Sequence, residues 1–98
     1  MGNTDTKNRA YVLVDTERGR ASEVVRSLRS QPLVTAADVV NGPYRVIAVI
    51  EGSNISTLAK TILVDVRKLD GVKDIIVYMS MPEEEAEPHS MQLGATEK

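Results

Sequence analysis

Cysteine, tryptophan and phenylalanine are missing from this 98-residue sequence, and it holds a single histidine. The lack of cysteine excludes a disulfide framework and thiolate chemistry, and it fits a reducing compartment such as the cytoplasm. No apolar run approaches the roughly 20 residues that a membrane-spanning helix needs, and the polar first residues do not resemble a signal peptide. We therefore expect a cytoplasmic protein that does not contact a membrane.

The net charge of −2 is unevenly distributed along the chain. Residues 1–82 carry eleven Lys and Arg against nine Asp and Glu, whereas residues 83–98 carry one Lys against five Glu. Neither part has the basic stripe of a nucleic-acid-binding domain, so we expect no direct contact with nucleic acid. The composition predicts a disordered N-terminus over residues 1–8, one domain over 9–82 and a disordered acidic tail over 83–98.

The central stretch Val34–Glu51 predicts two strands joined by the turn Asn41-Gly42-Pro43-Tyr44. Asn and Gly tolerate positive φ angles, and Pro has a fixed φ angle and donates no hydrogen bond to a sheet. The run Val46–Ile50 is apolar at five consecutive positions, which is typical of a strand that is covered on both faces.

Four further segments complete the predicted secondary structure. Apolar residues recur every three or four positions in the two helical segments, and Ile55, Leu58, Ala59, Ile62, Val66 and Leu69 form the apolar face of the longer one. Ser53 or Asn54 is a suitable N-cap for that helix, and Gly71 is placed to end it. The predicted bounds are a strand over Arg9–Asp15, a helix over Arg20–Ser30, a helix over Ile55–Leu69 and a strand over Val72–Met81.

The order strand, helix, strand, strand, helix, strand predicts an α+β, ferredoxin-like βαββαβ fold. Right-handed crossovers place both helices on one face of a four-stranded antiparallel sheet. The other face is also apolar, because strands three and four are apolar at consecutive positions. The two alternating sets are Val46, Ala48 and Ile50 against Ile47 and Val49, and Ile75, Val77 and Met79 against Ile76 and Tyr78. Burying about 600 Å² of that face would contribute on the order of 15 kcal/mol before the costs of association. We therefore predict that a second copy packs against it, sheet to sheet, giving a dimeric α/β-barrel.

Three stretches of the chain together resemble a known family. They are Ala10-Tyr11-Val12-Leu13-Val14, the turn Asn41–Tyr44, and Arg67-Lys68-Leu69-Asp70-Gly71-Val72. In this order they resemble the effector-binding domain of the leucine-responsive/asparagine-responsive (Lrp/AsnC) transcription regulators, over Ala10–Met81. The resemblance implies a homodimer that assembles further into tetramers or octamers. It also implies a small amino-acid-like ligand bound at interfaces between dimers.

The same resemblance implies where the ligand contacts lie, namely the turn between the second and third strands and the end of the last strand. A glycine in the turn lets a carboxylate approach backbone N–H groups. The family often has an Asp shortly after this glycine; this chain has Arg45, which prefers a carboxylate to an amino group. Whether Arg45 contacts ligand or is an exposed charge, and whether Tyr44 and Tyr78 contact ligand or pack in an interface, stays open. The ligand-binding residues implied are Asn41, Gly42, Pro43, Tyr44, Arg45, Tyr78, Met79 and Ser80.

Too few residues precede the first strand for the helix-turn-helix domain of full-length regulators. The resemblance therefore implies a stand-alone, ligand-sensing regulatory domain that acts alone or together with full-length Lrp/AsnC regulators. The alternative is an adaptor without ligand, which oligomerises and recruits a partner through its acidic tail or through Arg18, Arg20, Arg26 and Arg29.

An enzyme is the third class of protein that this fold could serve. Asp15, Asp38 and Asp74 are scattered along the chain, and His89 lies in the predicted tail. Their spacing does not indicate paired acid–base groups or a metal site. We predict no catalytic residues, no metal site and no cofactor.

Overall fold

Helices and strands follow one another in the predicted order. A computed structural model describes residues 7–80. The elements are β1 (Asn8–Thr16), α1 (Ala21–Arg29), β2 (Val34–Val39), β3 (Val46–Gly52), α2 (Ile55–Lys60), a π-helical segment (Thr61–Val66) that continues α2, and β4 (Val72–Met79). The strands form one antiparallel sheet in the order β2-β3-β1-β4, so the predicted ferredoxin-like fold is confirmed.

The core lies between the helices, which share one side of the sheet, and the face of the sheet that they cover. Alternate residues of β1, which are Ala10, Val12 and Val14, are fully buried on that face because successive side chains of a strand point to opposite sides. Aliphatic side chains fill this core without any aromatic ring, and burying each one fully contributes about 1.5–3 kcal/mol. The helical residues that pack there are Val24, Val25, Leu28, Leu58, Ile62 and Val66.

The second face of the sheet is also apolar, as predicted. The strand register places Ile47, Leu13 and Ile76 in one row across β3, β1 and β4. The next row consists of Val49, Tyr11 and Tyr78. We call these six residues the open face, because the helices of the described chain all lie on the opposite side of the sheet. The four aliphatic side chains are half-buried by their neighbours, whereas Tyr78 is 57% exposed.

The prediction of one regular helix over Ile55–Leu69 is wrong beyond Lys60. Its start is correct, since the side chain of Asn54 caps the helix by accepting a hydrogen bond from the backbone N–H of Thr57 at 3.0 Å. From Thr61 the helix is of the π type, whose hydrogen bonds span five residues and widen each turn. Leu58, Thr61, Ile62 and Val66 are buried, whereas Ile55 and Ala59 are exposed, contrary to prediction.

The hairpin between β2 and β3 has the predicted place but not the predicted dihedral angles. Within residues 7–80, only Gly19 and Gly71 have positive φ angles, so the φ argument for Asn41 and Gly42 is wrong. The backbone N–H of Val40 donates to the carbonyl of Arg45 at 2.8 Å, which leaves four residues in the loop. Loops of this length are most often built around type I turns, which need no positive φ angle.

Several predicted boundaries shift by one or two residues, and others lie beyond the described chain. Asn8, assigned to the disordered N-terminus, begins β1, and the last strand ends at Met79 rather than Met81. The predicted tail over 83–98, with its histidine, lies outside the described residues, as do residues 1–6. Between residues 7 and 80, neither helical segment combines the length and the apolar character needed to cross a membrane.

Gly71 is required by the fold, and Gly42 provides the matched control. A Cβ atom at Gly71 would lie 3.0 Å from Cγ2 of Val24, at a φ angle of +95°. A Cβ atom at Gly42 would meet only the carbonyl oxygen of Tyr44, at 3.8 Å. We expect Gly71→Ala to lower the free energy of unfolding by about 1–3 kcal/mol and Gly42→Ala to leave it nearly unchanged.

Urea unfolding of both variants at one fixed protein concentration measures this difference, because assembly makes stability depend on concentration. Equal midpoints for Gly71→Ala and Gly42→Ala would contradict the role given to Gly71.

Candidate ligand-binding site

Three loops meet at one end of the sheet. Val14, near the end of β1, pairs both with Val46 at the start of β3 and with Ile75 near the start of β4. The loop between β1 and α1, the β2–β3 hairpin and the beginning of β4 therefore lie side by side. We call this the hairpin end of the sheet.

The loop between β1 and α1 is anchored to the turn that precedes β4. The backbone N–H of Glu17 donates to the carbonyl of Gly71 at 2.8 Å. The guanidinium of Arg20, the N-cap of α1, donates to Asp70 Oδ2 and to Glu23 Oε2, both at 2.8 Å. Hydrogen bonds from Arg20 are the largest cause that holds the pKa of Glu23 and the pKa of Asp70 below their usual values.

This anchoring shapes a cavity of about 410 Å³ at the hairpin end. Three cationic side chains line it: Arg18 from the β1–α1 loop, Arg45 from the hairpin and Lys73 from the start of β4. Within residues 7–80, none of the three forms an ion pair, whereas Arg9, Arg20, Arg29 and Arg67 each have a carboxylate partner within 4.0 Å. We call it the cationic cavity. Its lining residues are Thr16, Glu17, Arg18, Gly19, Ala21, Ser22, Val39, Arg45 and Lys73.

The arginines near α1 do not form one uniform patch. A neighbouring cavity of about 330 Å³ shares Ser22 and Val39 with the cationic cavity and adds Arg26 and Arg29 to its lining. Arg29 donates to the carbonyl of Ala37 at 3.0 Å and pairs with Asp38 at 3.2 Å. Arg20 is likewise paired, so only Arg18 and Arg26 of the predicted set have no such partner in the described chain.

The structure places the residues implied for ligand binding in two separate groups. Residues 41–45 lie in the hairpin, whereas Tyr78, Met79 and Ser80 lie at the opposite end of the sheet, where Met79 pairs with Ala10. A single chain does not bring the two groups together. Any site that uses both must take residues from two subunits, and the assignment stays a prediction.

Tyr78 and Met79 are also separated from each other, because neighbouring residues of a strand point to opposite faces. Tyr78 belongs to the open face. Met79 lines an apolar groove of about 300 Å³ on the helical side of β4, together with Ala59, Ile62, Leu63 and Val77.

Sequence reasoning missed Lys73 and did not separate Arg18 from its neighbours. The signal was available in the topology, because a ferredoxin-like fold places the start of the last strand beside the end of the first strand. Both residues therefore had to lie near the hairpin that carries Arg45. The cavity has the chemistry of an anion site, since guanidinium and ammonium groups donate charge-assisted hydrogen bonds to carboxylates.

Metal binding finds no support in the described part of the chain. Between residues 7 and 80, no three His, Cys, Asp or Glu side chains lie close enough together to hold an ion.

Comparison with known proteins agrees with the fold. A family model described as the Lrp/AsnC ligand binding domain matches residues 9–88. The chain belongs to this family. The resemblance that the three sequence stretches indicated is therefore confirmed for this Lrp/AsnC domain, whereas no sequence among the curated proteins matches it significantly.

Solved structures similar to this Lrp/AsnC domain include stand-alone domains and longer regulators. The hypothetical protein PHS023 from Pyrococcus horikoshii is 27% identical, with a TM-score of 0.71, covering 84% of this chain and 99% of that chain. The transcriptional regulator NMB0573 from Neisseria meningitidis, solved in complex with L-Met, shares the fold at 18% identity. Its TM-score is 0.68, and the match covers 78% of this chain and 51% of that chain.

A third similar structure is that of a chaperone and not of a transcription regulator. It is the Tat proofreading chaperone NapD from E. coli, which is 25% identical with a TM-score of 0.66, covering 85% of this chain and 86% of that chain. The fold alone therefore does not choose between sensing a ligand and binding another polypeptide.

The Arg20 ion pairs should stabilise this domain in a pH-dependent way. Because the folded state lowers the pKa of Glu23 and of Asp70, the stability they contribute is present above their ordinary pKa values of 4.5 and 3.8 and is lost as the pH falls through the lowered values. Arg20→Gln should therefore unfold at lower urea concentration than the wild type at pH 7, and the difference should narrow below pH 4.5.

The charge-matched control for this prediction is Lys68→Gln, because Lys68 is exposed and has no ion pair in the described chain. The difference in urea midpoint between Lys68→Gln and the wild type should not narrow in this way as the pH falls. An Arg20→Gln deficit that stays constant from pH 7 to pH 3 would contradict the ion-pair explanation.

Proposed function

We propose that this Lrp/AsnC domain is a ligand-sensing regulatory module. It binds a small amino-acid-like metabolite at a subunit interface, and binding shifts its state of assembly. The match of the family's ligand-binding model over residues 9–88 carries the proposal. The complex of a structurally similar regulator with L-Met supports the chemical class of the ligand.

The proposed assembly begins with a homodimer formed through the open face. Leu13, at the centre of that face, is flanked by Ile47 and Ile76 on the neighbouring strands. A contiguous apolar surface of this kind is unusual on a monomer and typical of an interaction site. A second copy of the chain covers it with the same residues, as a two-fold symmetric interface requires.

The mechanism follows from the distribution of the implied ligand contacts between the two ends of the sheet. A ligand that contacts both groups binds only where two subunits approach each other, so it favours the assembly state that contains this approach. The domain then acts as a regulator without chemistry of its own. Contact with DNA would come from full-length Lrp/AsnC regulators in a mixed assembly.

A substitution at the centre of the open face tests the dimer. Leu13→Glu places a carboxylate in the proposed interface without a partner, which costs on the order of 3 kcal/mol or more. We expect the wild type to be at least dimeric at micromolar concentration by light scattering, and Leu13→Glu to be monomeric.

Leu63→Glu is the matched control, because Leu63 is 55% exposed and lies on the helical side of the sheet. It should retain the wild-type mass, and circular dichroism should show both variants folded. A stable wild-type monomer would overturn the proposed dimer. It would favour the second candidate function, an adaptor whose open face binds a partner polypeptide, which the similarity to the chaperone NapD supports.

Calorimetric titration with a panel of amino acids and 2-oxo acids tests the ligand. We expect at least one compound to bind and to change the mass measured by light scattering. Gly42→Ala should weaken this binding, since a Cβ atom would obstruct the approach of a carboxylate to the backbone of the hairpin. Its unfolding midpoint should remain that of the wild type, which separates loss of binding from loss of folding.

If no compound of the panel binds, the sensing role is refuted. Unweakened binding by Gly42→Ala would remove the hairpin backbone from the site.

A further inference from the structure

We propose that the cationic cavity binds an acidic amino acid, with its two carboxylates on Arg18, Arg45 and Lys73 and its ammonium group on Glu17. This inference rests on the proposed ligand-sensing function and names the ligand class for that function. Of the eight implied residues it uses only Arg45, and it adds the β1–α1 loop and the start of β4 to the site.

The first argument is the pairing of charges within the domain. Four other arginines of the described chain have carboxylate partners, yet the three cations of this cavity have none, although Glu17 lines the same space. The three cationic side chains are exposed, so solvent screens their mutual repulsion and each can pair with an added anion. An anionic ligand would supply the partner that the described chain does not.

The second argument is the number of charges. One carboxylate has only two oxygens, so three cationic side chains on three separate elements would all have to converge on a single group. A second carboxylate gives the three cations four oxygens with which to pair. Glu17 supplies the one anionic group of the lining, and an ammonium group is its natural partner.

The third argument concerns the volume of the cavity and the hydrogen bonds that anchor its walls. At about 410 Å³, the cavity lies within the range of small-molecule sites. Its walls are held in place, since Glu17 is bonded to Gly71 through its backbone and Arg20 joins the neighbouring loop to Asp70. The side chains that would contact the ligand are therefore carried by an anchored backbone, which lowers the ordering cost of binding.

Paired amino acids that differ by one charge provide the test. Titration calorimetry should compare glutamate with glutamine and aspartate with asparagine, on the full chain at low salt. We expect at least one acidic member to bind ten-fold or more tightly than its amide, because hydrogen bonds to charged groups are the stronger class. Arg45→Gln and Lys73→Gln should each weaken the acidic ligand about ten-fold, whereas Lys68→Gln should not.

The role of Glu17 has its own measurement. Glutarate has the two carboxylates of glutamate without the ammonium group. The wild type should prefer glutamate to glutarate, and Glu17→Gln should lose that preference while it retains the preference for glutamate over glutamine.

Four outcomes would overturn the inference, and they differ in what they leave standing. If neutral amino acids bind as tightly as acidic ones, the sensing function stands and the cationic cavity is not its ligand site. If inorganic phosphate competes as well as glutamate, the cavity is a general anion site. If acidic ligands bind unchanged to Arg45→Gln and Lys73→Gln, they bind elsewhere. If no amino acid binds at all, the proposed function fails together with this inference.

Discussion

The two-residue period of the strands governs this molecule, because both faces of its sheet are apolar. In β1, Val12 and Val14 are buried beneath the helices while Tyr11 and Leu13 lie on the open face between them. A shift of one residue in register would exchange the two sets. The helical core needs small branched side chains, whereas the open face carries two of the chain's three tyrosines. The register therefore determines both which side chains pack in the core and which side chains lie on the open face.

The hairpin end of the sheet obeys a different constraint. There, three loops converge, and the fold holds them together with a glycine in a left-handed conformation and an arginine shared by two carboxylates. Gly71 brings the turn before β4 against Val24 of α1, and Arg20 joins that turn to the helix. Within residues 7–80, the same junction carries three cations without carboxylate partners. A stabilised frame that leaves like charges unpaired is typical of a functional site, because a sequence selected for stability alone would pair or disperse them.

Much of this architecture could be predicted from the sequence, because the deciding signals are local. The order of the elements follows from apolar periodicity, the start of α2 from Asn54, and the turn before β4 from Gly71. The π-helical segment could not be predicted in this way. Leu58, Ile62 and Val66 recur every four residues, a spacing that predicts an ordinary α-helix and carries no signal for the wider turn that begins at Thr61. The hairpin shows the opposite error, since a residue that tolerates a positive φ angle does not have to adopt one.

The candidate site was harder to predict because it is a property of topology rather than of any one motif. Arg18, Arg45 and Lys73 are far apart in the sequence, and each alone is an ordinary exposed charge. Only the sheet order makes them neighbours. The implied ligand residues show the converse, since Gly42 and Tyr78 belong to one predicted set but lie at opposite ends of the sheet.

Arg45 is the residue through which a ligand and the assembly could be coupled. It directly precedes β3, in the same alternation as Ile47 and Val49 of the open face, yet its side chain lines the cationic cavity. A ligand changes an assembly equilibrium only through contacts that differ between the two states. In the proposed dimer, the side chain of Arg45 would lie both at the ligand cavity and at the margin of the subunit interface, so its position in one would restrict its position in the other. On that proposal, the departure from the family's usual residue at this position would couple ligand preference to association through one guanidinium group.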